Sequence, residues 1–75
     1  MALTLPGQTL RGVAAKLRQL SYVPTSWQGV LAGLNPDGRS QLETFLHDLV
    51  REGGSPQLMA MVLEHLADQR EALQR

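Results

Sequence analysis

"SYVPTSWQGVLAGLNP", residues Ser21 to Pro36, decides how many helices this chain has. It holds the only tyrosine and the only tryptophan of the sequence, beside a proline that a helix interior does not tolerate. After Pro24, Thr25 or Ser26 can accept a backbone N–H as a helix cap. Trp27, Val30, Leu31 and Leu34 then recur at i, i+3, i+4 and i+7, the spacing of an apolar helical stripe. Gly29 and Gly33 oppose that stripe, each costing about 1 kcal/mol relative to alanine inside a helix. The stretch therefore reads as a capped turn into a marginal second helix, with Trp27 as its core anchor and Tyr22 in the turn.

Working upstream, Leu10, Val13, Ala14, Leu17 and Leu20 predict a first helix from about Thr9 to Ser21, with Arg11, Lys16 and Arg18 off the stripe. Downstream, Asn35 and Pro36 suit either a β-turn or the first turn of a helix. Ser40-Gln41-Leu42-Glu43 fits a capping box, and Leu42, Phe45, Leu46, Leu49 and Val50 give the third helix the cleanest stripe in the chain. Gly53-Gly54 closes it, because glycine enters the left-handed conformation without steric cost. Ser55 then caps a fourth helix with Pro56 at its first position, running to about Leu73. No alternating strand pattern or internal repeat occurs, so the expected fold is all-α: one domain over residues 1–75, a bundle of four short helices.

In the fourth helix Leu58, Met59, Met61, Val62, Leu63 and Leu66 cover most of the circumference before Asp68 to Glu71 turn it polar. So wide an apolar band exceeds what a small monomer needs, which predicts a homodimer or another protein partner on part of it. Paired with a two-fold mate, Leu63, Leu66 and Leu73 would form a seam with Arg70 in it, neutralised by Glu64 or Glu71.

Composition sets the outer limits. A chain of 75 residues removes only about 60% of its unfolded surface from water on folding, so its core is small. With 43% apolar and 19% charged residues the chain is too apolar for a disordered tail, and no apolar run approaches the length of a membrane span. The absence of cysteine rules out disulfides and thiolate metal sites and favours a cytoplasmic home. The opening "MALTLPGQTLRG" lacks the cationic and apolar segments of a signal peptide and is expected to belong to the fold. Charge is uneven: residues 1–36 carry +3 from Arg11, Lys16 and Arg18, and residues 37–75 carry −3. Such a division can serve subunit pairing, partner docking or phosphate contact.

Little in the chain suggests catalysis. Ser21, Ser26, Ser40 and Ser55 each fall at a predicted helix end, where capping explains a hydroxyl, and no Gly-x-Ser-x-Gly elbow is present. Glu43, His47 and Arg51 form an i, i+4, i+8 ladder of the kind that lines a solvated helix face. Zinc needs at least three protein ligands, and spacing supplies no third. His65 and its neighbour Glu64 point about 100° apart, and no phosphate-binding glycine loop occurs. The sequence thus predicts no enzyme, metal or cofactor.

Two functions remain as expectations. The first is a protein-interaction module, an adaptor, inhibitor or regulatory subunit, contacting its partner or its own copy through Tyr22, Trp27, Met59, Val62, Leu63, Leu66 and Leu73. Methionine and aromatic side chains suit such surfaces because they adapt to, or fill, irregular pockets. The second rests on a resemblance. "TLRGVAAKLRQLSYVPTSWQGVLAGL", about one third of the chain, is similar to the helix-turn-helix headpiece of lac-repressor-type regulators, in the opening Thr9-Leu10 and the closing Val30-Leu31-Ala32-Gly33. The resemblance implies DNA binding by residues 9–34, with Thr25, Ser26 and Gln28 reading base edges and Arg11, Lys16 and Arg18 on phosphates. The connection is about three residues longer than in that motif, and the candidate recognition helix has no arginine or lysine.

Overall fold

Among the described residues the chain forms three helices. The computed structural model describes residues 5–73, in which α1 spans Gly7–Arg18, α2 spans Pro36–Arg51 and α3 spans Pro56–Leu73. The predicted opening segment is therefore described from Leu5 onward, and Leu5 is buried; residues 1–4 lie outside the described residues.

The all-α class holds, but the second helix of the expected bundle does not form: residues 27–34 make two short linked turns instead. Leu31 N–H reaches the Trp27 carbonyl at 2.9 Å, Leu34 N–H reaches that of Leu31 at 3.3 Å, and Gly33 takes a φ of +88°. Asn35 then lies extended, at φ −68° and ψ 164°, as the residue before a proline prefers. Gly33 and the Asn35-Pro36 pair end the segment before enough consecutive bonds form to offset the cost of helix nucleation. The apolar pattern survives the missing helix, since Trp27, Val30 and Leu31 are all buried and Leu34 packs against them.

Boundaries shift for local reasons. α1 begins two residues before Thr9, behind Pro6, and stops at Arg18 short of Ser21. The third predicted helix starts at Pro36 rather than at a Ser40 capping box. The Asn35 side chain accepts from Gly38 N–H at 2.7 Å, and Pro36 at the first position needs no partner for its missing N–H. α2 closes as expected: Gly53 has a φ of +86°, and the N–H groups of Gly53 and Gly54 reach the carbonyls of Val50 at 2.9 Å and Leu49 at 2.8 Å. This is a Schellman closure. A Cβ on Gly54 would stand 2.9 Å from the Leu49 carbonyl oxygen, so the tight α2–α3 connection needs glycine there. Ser55 caps α3 through Leu58 N–H at 3.2 Å.

α1 and α3, first and last in the chain, are the helices packed most closely. Gly7 lies against Ala67 and Glu71, Arg18 against Glu64, and Gln57 against the Leu20 carbonyl, so the two run antiparallel. Small residues let them approach: a Cβ on Gly7 would come within 3.2 Å of the Ala67 carbonyl oxygen, and Ala14, Ala60 and Ala67 are fully buried. Leu10, Val13 and Leu17 of α1 meet Met59 and Leu63 of α3 in one core, to which α2 contributes Leu42 and Leu46 and the 27–31 turn contributes Trp27, Val30 and Leu31.

Candidate interaction surface

On a helical wheel the buried residues of α3, Pro56, Met59, Ala60, Leu63 and Ala67, share one face. A neighbouring strip carries Glu64, Asp68 and Glu71, and all three reach arginines of α1. Arg11 forms a fork to Glu71 at 2.6 and 3.2 Å and also pairs with Asp68, while Arg18 binds Glu64 at 2.5 and 3.0 Å. The +3 and −3 of the two chain halves thus largely meet inside the monomer. These hydrogen bonds, to Glu71 first and then Asp68, push the Arg11 guanidinium well above its ordinary range, and the bond to Glu64 raises that of Arg18.

The same fork from Arg18 holds the Glu64 carboxyl below its ordinary value of 4.5, against a smaller opposing effect of desolvation. A carboxyl lowered by folding adds stability that is present in full above its unfolded value and is lost as pH falls through the lowered folded one. Acidification from about pH 5 to about pH 3 is therefore expected to lower the urea midpoint of wild type more than that of Glu64→Gln, which has no carboxyl to protonate. Equal losses in the two proteins would contradict this account of the pair.

The remaining strip of α3 is uncovered. Leu58 is 46% exposed, Met61 57% and Leu73 87%, with Val62 and Leu66 half-buried between them. His65 and Gln69, bonded to each other at 3.2 Å, interrupt the strip. Beside its N-terminal end runs a groove of about 670 Å³, floored by Phe45 and Leu49 of α2 and Leu58 of α3 and rimmed by Asp48 and Glu52. Neither acid forms an ion pair among the described residues.

The residues expected to meet a partner are thus divided. Met59 and Leu63 lie in the core because the closely packed α1 takes that face of α3, and Trp27, only 8% exposed, joins them from the 27–31 turn. Val62, Leu66, Leu73 and Tyr22 remain accessible, Tyr22 at 76%. Since Leu63 is inside, the expected Leu63–Leu66–Leu73 seam is not a single surface. Glu64 and Glu71, suggested as neutralising Arg70, are engaged with α1 instead. Leu58, Met61, Phe45 and Leu49 were not singled out as contacts, although Leu58 and Met61 already belong to the apolar band whose width exceeds one buried face.

The residues of the DNA-binding expectation do not assemble into a reading head. Thr25, Ser26 and Gln28 are exposed on an irregular segment, with Gln28 N–H on the Ser26 hydroxyl at 3.3 Å. Arg11 and Arg18 are held by carboxylates, and Lys16 Nζ lies 3.3 Å from the Ala32 carbonyl oxygen. Among the described residues there is no group of three or more histidine or acidic side chains able to hold a metal ion, no buried polar or charged residue, and no helix long and apolar enough to cross a membrane.

No protein-family model matches the chain, and no curated protein and no solved structure matches it either.

Proposed function

We propose that this chain is a small non-enzymatic helical protein-interaction module, working as an adaptor, inhibitor or regulatory subunit. One observation carries the reading: α3 has two apolar strips, and α1 covers only the first. The second, from Leu58 through Met61 to Leu73 with Val62 and Leu66 half-buried along it, keeps apolar surface in water that a partner would cover. The groove beside Leu58 widens that strip at its N-terminal end, and the acids on its rim favour a partner bearing cations.

The test compares immobilised wild type with Met61→Glu, whose exposed position leaves folding intact. Proteins retained by wild type are expected to be lost from the variant at unchanged helical circular dichroism. An identical retained set would refute the docking face. Duplex binding that falls steeply with salt would favour the helix-turn-helix alternative in its place.

A further inference from the structure

We infer that a second copy of the chain covers this face, with α3 lying antiparallel to its two-fold mate and Leu73 of each copy seated in the other's groove. The inference rests on the interaction-module reading and gives it a specific occupant. A two-fold contact must be self-complementary, so that if residue i meets j then j meets i. Any antiparallel pairing meets this condition, and the register centred between His65 and Leu66 is the one that brings Leu73 to the groove at Leu58. An antiparallel pair centred there places Leu58 opposite Leu73, Val62 opposite Gln69 and His65 opposite Leu66. At about 1.5 Å per residue Leu58 and Leu73 stand roughly 22 Å apart, so one register brings both end contacts together.

Shape and charge agree with this register. Leu73 projects from the last turn of α3 almost wholly into solvent, whereas Leu58 lies in a groove floored by Phe45 and Leu49. The protruding leucine of one copy fits the recess of the other, and the exchange happens twice. Arg70, less than one turn before Leu73, forms no ion pair among the described residues. It stands on the flank of the strip away from the carboxylates that bind α1. A two-fold axis perpendicular to the paired helices keeps that flank on the same side in both copies, where Asp48 and Glu52 rim the groove. Two opposite sets of charge without an ion pair of their own, Arg70 in one copy and Asp48 with Glu52 in the other, are thereby joined at each end. A heterologous basic helix would satisfy the rim as well, but it would leave the exposed Leu73 unexplained.

Sedimentation equilibrium on the full chain tests the pairing. Wild type is expected to pass from monomer to dimer with a Kd on the order of 10–100 µM, as suits a small contact. Leu73→Glu, at a position too exposed to disturb folding, is expected to weaken association at least about tenfold with unchanged circular dichroism. Arg70→Glu is expected to weaken it as well, and adding Asp48→Arg with Glu52→Arg is expected to recover most of the loss, which a merely destabilised fold would not do. A wild type that stays monomeric to about 1 mM overturns the inference. So does a Leu73→Glu variant that dimerises like wild type, or a charge exchange without recovery. A monomeric wild type whose captured proteins still depend on Met61 overturns the dimer alone and leaves the interaction module standing.

Discussion

Trp27→Ala is expected to destabilise the domain by about 3–5 kcal/mol, read as the shift in a urea melt followed by circular dichroism. The ring is 8% exposed and joins Val30 and Leu31 in the core from a segment that has no helix of its own to hold it. What fixes residues 25–34 is two backbone hydrogen bonds, the Lys16 contact to the Ala32 carbonyl and the burial of three apolar side chains. Removing the largest of those leaves a cavity and frees the turn together. A domain of this length holds about 4–11 kcal/mol in all, so the variant is expected to be partly or wholly unfolded at 37 °C. Trp27→Phe, which keeps a ring in the site, is expected to lose far less. A loss below about 1 kcal/mol for the alanine variant would mean that the indole is solvated in solution.

Leu46→Ala ranks beside it, at about 2–5 kcal/mol, for a different structural reason. α2 sends only two fully buried side chains into the core, Leu42 and Leu46, while Phe45, Leu49 and Val50 are half-buried at its margin. No ion pair ties α2 to the other helices among the described residues. Hydrogen exchange in Leu46→Ala is accordingly expected to speed up first along α2, with α1 and α3 keeping more of their protection. Uniform acceleration through all three helices would show instead that the domain opens as one unit.

Much of this core was legible because burial has a period. Leu10, Val13, Ala14 and Leu17 are all inside, as their spacing requires, and Trp27, Val30 and Leu31 are inside although their helix is absent. One turn places i, i+3 and i+4 on one side as well as three turns do, so the stripe alone does not measure length. Gly33 and Asn35-Pro36 carried the stop signal; the glycine was visible as a penalty, but its left-handed φ was not. The start of α2 turned on two competing caps, and Asn35 prevailed because proline follows it directly.

The docking face was half legible. Excess apolar width in the last helix pointed to a partner, yet the face it would use depended on how α1 lies across α3. That crossing also decides the fate of the charges. Arg11 and Arg18 read as phosphate contacts only while their distance from Glu64, Asp68 and Glu71 along the chain conceals their closeness in space.

That pairing of the first helix with the last has a kinetic consequence. The ion pairs of α1 join residues 46 to 60 positions apart, unusually far for so short a helical chain. Contacts at such separation pay for loop closure before they return any stability, which slows folding relative to bundles built from neighbouring hairpins. During synthesis α1 emerges with its apolar face bare and meets its mate only when α3 has left the ribosome. Until then Leu10, Val13 and Leu17 can meet only the part of the core that the 27–31 turn and α2 contribute, and the domain completes its core late.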